Sequence, residues 1–113
     1  MSRLIVLAAL ASLMFPAAST VALAASPTST VFYSCADGKE IAAAYYDDSV
    51  SLILNDGRAI NLKQKVAASG TRYANAKETV VFWSKGDSAF VTEGGDDNQT
   101  YADCQAHEGG GGE

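Results

Sequence analysis

Two polar side chains lie next to glycines in the second half of the chain. Ser69 precedes Gly70, and Lys85 precedes Gly86. Because glycine supplies the backbone freedom that tight turns need, we expect Ser69 and Lys85 to lie at exposed loop tips. A hydroxyl and an ammonium on rigid supports suit recognition of a partner, and no base or nucleophile adjoins either residue in the sequence. The pair therefore favours a binding protein over an enzyme.

Short β-strands must position these two tips, because apolar residues recur with a period of two after residue 30. The runs lie at residues 31–35, 41–45, 50–54, 60–66, 79–84, 88–92 and 99–104. In the fourth run we expect Ile60, Leu62 and Val66 to face the core. Asn55-Asp56-Gly57 accepts the positive φ of a tight hairpin. The sequence thus predicts an all-β fold, a small antiparallel β-barrel of about seven to eight strands, with a strongly curved sandwich as the alternative.

The two cysteines, Cys35 and Cys104, lie near opposite ends of the predicted domain. In a small exported domain such a pair favours one disulfide, here between the first strand and the last. Closing a loop of this length stabilises a fold by about 4 kcal/mol in the chain-entropy model. Free thiols or an intermolecular bond are the alternatives. Neither cysteine belongs to a C-x-x-C pair, which disfavours redox catalysis and a zinc site.

Residues 1–24 have the features of a secretory signal peptide. A single cation precedes an apolar run from Leu4 to Phe15, and Ala22 and Ala24 form the A-x-A pattern of a cleavage site. Cleavage is expected after Ala24, with the positions after residues 18 and 25 as alternatives. The apolar run is shorter than the roughly 20 residues of a membrane-spanning helix, and no lipidation cysteine follows it. We expect a periplasmic or secreted protein without a stable membrane anchor.

After the signal we predict a Ser/Thr/Pro linker at residues 25–30, a β-domain at 31–105 and a flexible tail at 106–113 that contains His107. The formal net charge of the chain is −5. Such an acidic protein disfavours nucleic acid as a partner and attracts a cationic protein. One histidine and two bonded cysteines provide no metal site, no cofactor site and no nucleophile–base pair. Monomer and dimer are both compatible with the sequence.

Two motifs between residues 68 and 89 give the chain a resemblance to a known family. Ser69-Gly70-Thr71-Arg72-Tyr73 matches the pattern S-G-x-x-Y, and Phe82-Trp83-Ser84-Lys85-Gly86-Asp87 follows at the expected distance. Together with the flanking cysteines, these motifs resemble the bacterial inhibitors of C-type lysozyme, which include membrane-bound and periplasmic types. The resemblance extends over residues 33–104. The missing lipidation cysteine favours the periplasmic type.

The resemblance implies a β-barrel of about eight strands that inhibits C-type lysozyme by placing loop residues in the active-site cleft. Carried over to this sequence, it makes Ser69 and Lys85 the residues that enter the cleft and pair with the catalytic carboxyl groups. The residues that would shape the two loops are Gly70, Arg72, Tyr73, Ser84 and Gly86. No cofactor is implied.

Plainer alternatives stand beside these assignments. In one of them Ser69 is a simple turn residue, and in another Lys85 is a solvated hairpin residue. Arg72 either contacts the partner or pairs with a nearby aspartate. Tyr73 and Trp83 are expected to pack in the core or against the loops rather than to contact the partner. For the whole protein, the alternative is a small envelope barrel that carries a ligand or has a structural role.

Overall fold

The computed structural model describes residues 26–107, which form eight β-strands in a closed barrel. The strands are β1 (Ser29–Ser34), β2 (Glu40–Tyr45), β3 (Ser49–Leu54), β4 (Ala59–Lys65), β5 (Thr71–Ala74), β6 (Val80–Lys85), β7 (Ser88–Glu93) and β8 (Gln99–His107). Each strand is antiparallel to the next, and β8 pairs with β1 to close the sheet. The prediction of an all-β antiparallel barrel of seven to eight strands is confirmed.

Alternating apolar side chains on β2 and β3 fill one side of the barrel. Ile41 and Ala43 on β2, and Val50, Leu52 and Leu54 on β3, are each at most 2% exposed. Fully burying a valine, leucine or isoleucine side chain is worth about 1.5–3 kcal/mol. Because a slip by one residue would turn this whole set towards solvent, the buried face fixes the register of the two strands.

Aromatic rings pack at the centre of the barrel. Tyr33, Tyr45 and Tyr73 contact Phe82, with ring centroids between 5.9 and 6.3 Å apart. The hydroxyl oxygens of Tyr33 and Tyr45 are 2.7 Å apart and form a hydrogen bond. Burial raises the pKa of Tyr33 and Tyr73 above the ordinary value of 10.0, because a phenolate is poorly solvated in the core. The interior is therefore a packed core.

The predicted disulfide is confirmed. Cys35, directly after β1, is bonded to Cys104 in β8 across 69 positions of sequence. Cys104 is fully buried. Because β1 and β8 are also hydrogen-bonded to each other, the covalent bond lies at the seam where the barrel closes.

The connection between β4 and β6 differs from the sequence pattern in two ways. The strand β5 is only four residues long, too short to show an alternation, and the pattern does not predict it. The expectation that Val66 shares the buried face with Leu62 is wrong. β4 ends at Lys65, so the chain has already left the sheet at Val66, whose side chain is 96% exposed.

Both ends of the domain extend further than predicted. β1 begins at Ser29, within the predicted linker, and β8 continues to His107, within the predicted tail. Pairing of β1 with β8 accounts for the second extension, since Phe32 lies opposite His107. The predicted signal peptide, residues 1–24, and the end of the tail, residues 108–113, lie outside the described residues. Across residues 26–107, no helix has the length and apolar character that a bilayer span requires.

Candidate functional site

Ser69 is an exposed residue of the loop that joins β4 to β5. Its neighbour Gly70 has a φ of +71°, and a Cβ added there would lie 2.8 Å from the carbonyl oxygen of Ser84. A side chain at this position would collide with the backbone of β6, and its φ would be strained for any L-residue. Glycine thus lets the loop lie closely against the end of β6.

Lys85 is the last residue of β6 and is exposed. A two-residue turn, Gly86-Asp87, connects it to Ser88, its pairing partner on β7. Gly86 has a φ of +58°, but an added Cβ would meet nothing within 4 Å. Glycine at position 86 therefore serves the conformation of the turn. No neighbouring residue is close enough to require it. The short hairpin keeps Lys85 on the rigid end of the sheet.

The pairing of β5 with β6 brings the two tips together. Thr71 lies opposite Ser84. Gly70, which precedes Thr71, and Lys85, which follows Ser84, therefore lie at the same end of the barrel. Lys85 Nζ donates a hydrogen bond to Ser69 Oγ over 3.4 Å, which is long for such a bond. Among the ion pairs of residues 26–107, none involves Lys85.

An exposed ammonium beside a hydroxyl can donate hydrogen bonds to acceptors, above all to carboxylates. Lysines that take part in nucleophilic catalysis are typically desolvated, whereas Lys85 lies in solvent. The described part of the chain also holds no group of three or more His, Cys, Asp and Glu that could bind a metal ion. The site offers hydrogen-bond donors rather than reactive groups.

Arg72 lies on the opposite face of β5 from Tyr73. Its guanidinium forms an ion pair with Glu78 and lies over the ring of Trp83, 5.7 Å from the ring centroid. Its hydrogen bond holds the pKa of the Glu78 carboxyl below the ordinary value of 4.5. Arg72 thus pairs with an acidic side chain in the free protein, and the partner is a glutamate instead of the expected aspartate.

The predicted site residues form two groups. Ser69, Gly70, Ser84, Lys85 and Gly86 meet at one end of the barrel. Arg72 and Tyr73 lie one step further into the sheet. Tyr73 is 5% exposed and packs on Phe82, as expected for a core aromatic.

Two neighbours of the site are not among the site residues predicted from the sequence. Glu78, the partner of Arg72, has a φ of +55° in the turn after β5. Phe90 stacks on Trp83, with ring centroids 6.1 Å apart. A signal for Phe90 exists, because the two-residue turn fixes a register that puts Trp83 opposite Phe90. Glu78 has no such signal, since its position depends on the unpredicted strand β5.

The fold and the site define a class of protein: a small disulfide-linked β-barrel that presents a serine and a lysine on adjacent loops. A family model described as "Membrane-bound lysozyme-inhibitor of c-type lysozyme" matches residues 33–100, a segment that includes the whole site. The match covers more than half of the chain, and the chain therefore belongs to this family. The resemblance seen in the two motifs is confirmed.

A curated relative supports the same assignment. The chain is 39% identical over 77 residues to a protein of Yersinia enterocolitica (serotype O:8 / biotype 1B) named "Membrane-bound lysozyme inhibitor of C-type lysozyme". The aligned region covers 67% of this chain and 62% of the relative, so the chain spans somewhat less than two thirds of that protein's length. No solved structure matches the chain.

Proposed function

We propose that this protein inhibits a C-type lysozyme by placing Ser69 and Lys85 in the active-site cleft of the enzyme. The observation that carries the proposal is the exposed Lys85–Ser69 pair, with 3.4 Å between Nζ and Oγ, at one end of a barrel of this family. The relative from Yersinia enterocolitica carries the name of such an inhibitor.

The spacing of the two tips suits the chemistry of the cleft. A retaining glycoside hydrolase such as lysozyme cleaves its glycan with two carboxyl groups about 5 Å apart. Two donors 3.4 Å apart, each within about 2.8 Å of its acceptor, can reach both groups. The Lys85 ammonium would pair with the ionised nucleophile, and the Ser69 hydroxyl would bond the protonated acid.

The surroundings of the tips favour strong pairing. Both side chains are exposed in the free protein and would lose their water inside the cleft. A desolvated ion pair with a hydrogen-bonded partner is worth more than a surface ion pair, so losing either group is expected to weaken binding by about 2 kcal/mol or more. The net charge of −5 would add long-range attraction for a cationic lysozyme, mainly as a faster association rate at low salt.

A ligand-carrying barrel is the competing function. A carrier of an apolar ligand needs an interior chamber. Ile41, Leu52 and Phe82 fill the interior of this barrel and are each at most 1% exposed. This packing favours a protein that acts through its surface, and we propose no catalytic activity for it.

We also propose that the protein acts outside the cytoplasm, in the periplasm or after secretion, and without a lipid anchor. The Cys35–Cys104 disulfide supports this compartment, because such bonds persist in oxidising environments. Mass spectrometry of the protein purified from a periplasmic extract tests the proposal. The expected mass corresponds to cleavage near residue 24 with no attached lipid, and a lipidated or uncleaved chain would contradict it.

A lysis assay tests the proposed inhibition. Purified protein is added in increasing amounts to a C-type lysozyme acting on a suspension of bacterial cell walls, and the fall in turbidity is followed. We expect the lysis rate to fall towards zero at a molar excess of the protein. Full lysis at a large excess would overturn the proposed function.

A further inference from the structure

A groove of about 540 Å³ lies beside the two loops and is lined by residues of β6, β7 and β8. We call it the aromatic groove, because Trp83 and Phe90 line it. Ser69 and Lys85 line it as well, so the groove is continuous with the candidate site. Phe90, which lines the groove, lies at the register shift between Ala89 and Val91 in the pairing of β7 with β8.

The aromatic pair is held in a fixed position. Trp83 and Phe90 are cross-strand partners on β6 and β7, and their rings are stacked at an interplanar angle of 20°. The Arg72 guanidinium lies over the Trp83 ring and is itself fixed by Glu78. Both rings remain half-exposed. Rigid, accessible aromatic side chains are the type that most often carries binding energy at protein interfaces.

The acidic group of the groove is Asp103. It is exposed, lines the groove, and has a φ of +53° at the irregular stretch of β8. Irregular strand pairing of this kind re-aims side chains next to functional sites. None of the ion pairs within residues 26–107 involves Asp103. The groove thus combines an aromatic surface with an acidic group that takes part in none of the ion pairs of the described residues.

The two tips alone are too small an interface. A specific protein complex buries about 800 Å² on each partner, and the ends of one serine and one lysine side chain supply only a small part of this area. A partner that covers both tips must also cover adjacent surface. The aromatic groove is adjacent surface of the right composition, because Ser69 and Lys85 form part of its own lining.

We propose that the aromatic groove is a second contact area for the lysozyme and receives a basic side chain from the rim of the enzyme's cleft. The aliphatic stem of that side chain would lie on Trp83 and Phe90, and its cationic head would pair with Asp103. The inference rests on the proposed function, because it takes its partner from it. It assigns binding energy to residues outside the two family motifs, namely Phe90 and Asp103.

Paired substitutions test this contact by the dissociation constant for a purified C-type lysozyme. Phe90→Ala removes an aromatic surface, and Ile53→Ala is its control, since Ile53 is 56% exposed on β3 and outside the groove. Asp103→Asn removes a charge while keeping a residue type that tolerates positive φ, and Asp97→Asn is its control in the exposed loop after β7. We expect about a tenfold weaker complex for Phe90→Ala and about a fivefold weaker one for Asp103→Asn. The controls should change affinity by less than about twofold.

The possible outcomes separate the two proposals. If wild-type protein inhibits lysozyme but both groove variants bind as tightly as their controls, the groove contact is wrong and the proposed function stands. If wild-type protein neither binds nor inhibits lysozyme, the proposed function fails and the groove contact fails with it. Weakening confined to the groove variants supports both.

A second measurement on the unsubstituted protein avoids any loss of folding. Trp83 is the only tryptophan of the chain, so 5-fluorotryptophan labels the groove at a single position. In ¹⁹F NMR, a soluble paramagnetic agent should relax this signal several-fold less in the saturated lysozyme complex than in the free protein. Equal relaxation in the two states would show that the groove stays open and would overturn the inference.

Discussion

Lys85 and Ser69 interact only weakly with each other in the free protein. Their hydrogen bond is long, at 3.4 Å, and both side chains are exposed, so exchanging it for contacts with a partner costs little. Arg72 is different, because it is fixed by Glu78 and by the face of Trp83. Of these two cationic residues, Lys85 therefore has the weaker interactions to give up on binding a partner.

Removing either tip is expected to weaken inhibition without weakening the fold. Ser69→Ala and Lys85→Ala should each reduce the free energy of lysozyme binding by about 2 kcal/mol, which is roughly a thirtyfold loss of affinity. Because both side chains are exposed, the melting temperature should stay within about 2 °C of the wild-type value. Calorimetric titration and thermal unfolding measure the two effects.

Lys77→Ala is the matched control for Lys85→Ala. Lys77 is an exposed lysine in the turn after β5, and its substitution removes the same charge. It should leave the affinity unchanged within about twofold. Equal losses for Lys77→Ala and Lys85→Ala would mean that only overall charge matters, which contradicts a specific contact by Lys85.

At the scale of structural elements, the loop between β4 and β5 depends on one close approach. A Cβ added at Gly70 would lie 2.8 Å from the Ser84 carbonyl oxygen, whereas one added at Gly86 would meet nothing within 4 Å. Both glycines have positive φ, which costs an alanine about 1–2 kcal/mol. Only at Gly70 does a steric clash with the backbone add to this cost.

Gly70→Ala and Gly86→Ala are therefore expected to differ. Gly86→Ala should lower the free energy of unfolding by about 1–2 kcal/mol. Gly70→Ala should lower it further and should also weaken inhibition, because the clash displaces Ser69. Urea unfolding and the lysis assay measure the pair. Equal effects of the two substitutions on stability and inhibition would argue against the close approach at Gly70.

An ion-pair network joins the β3–β4 hairpin to the end of β7. Arg58 forms ion pairs with Asp56 and Glu93, at 2.8 and 2.7 Å, and Thr100 donates a hydrogen bond to Glu93. Hydrogen bonds from Arg58 are the main reason that the pKa of Glu93 lies below its ordinary value of 4.5. The network ties elements that are distant in sequence and that do not pair with each other in the sheet.

The lowered pKa of Glu93 predicts a stability loss on the acid side. A carboxylate with a depressed pKa in the folded state stabilises the fold above its unfolded pKa, and this share is lost as the pH falls through the folded pKa. Glu93→Gln should be less stable than wild type by about 1 kcal/mol at neutral pH. As the pH falls below about 4.5 the difference should shrink, because the unfolded chain then binds a proton at Glu93 more readily than the folded protein does.

Urea unfolding at neutral pH and at about pH 3 measures this difference. Glu40→Gln serves as the control, since Glu40 is exposed and none of the ion pairs within residues 26–107 includes it. The control should show no comparable change with pH. A difference between wild type and Glu93→Gln that stays constant down to about pH 3 would rule out the linkage.

Local signals predict most of the barrel. Alternation in β2 and β3 predicts their buried faces, and the Asn55-Asp56-Gly57 sequence predicts the hairpin between β3 and β4, where Gly57 has a φ of +91°. These features are encoded by residues close in sequence. The glycines at positions 70 and 86 likewise predict the exposure of Ser69 and Lys85.

Features that depend on distant pairing are not visible in the sequence. β5 is held by its neighbours β4 and β6 rather than by a pattern of its own, and without it the contact between Ser69 and Lys85 cannot be located. The extension of β8 to His107 requires β1 as its partner. Val66 is exposed because β4 ends at Lys65, although its apolar side chain continues the alternation.

At the scale of the whole molecule, closure of the barrel and the disulfide act at the same seam. Cys35 and Cys104 join the first and last strands, which are also hydrogen-bonded to each other. In the chain-entropy model, a link across 69 positions restricts the unfolded chain by about 4 kcal/mol. For a domain of this size, that is a large share of the total stability.

Removal of the disulfide should therefore strongly destabilise the protein. The double variant Cys35→Ala/Cys104→Ala is expected to lose about 3–4 kcal/mol of unfolding free energy. Under native conditions the folded fraction should still inhibit lysozyme, because the bond is not part of the Ser69–Lys85 contact. Denaturant unfolding of both proteins provides the measurement. A loss below about 1 kcal/mol would mean that barrel closure alone restrains the ends of the chain.

Competition for the cleft tests most directly the central claim that Ser69 and Lys85 occupy the catalytic site of the enzyme. The dissociation constant of the complex is measured with the lysozyme free and with its cleft saturated by a chito-oligosaccharide. We expect the apparent affinity to fall in proportion to the occupancy of the cleft. An unchanged dissociation constant at saturating oligosaccharide would contradict the claim.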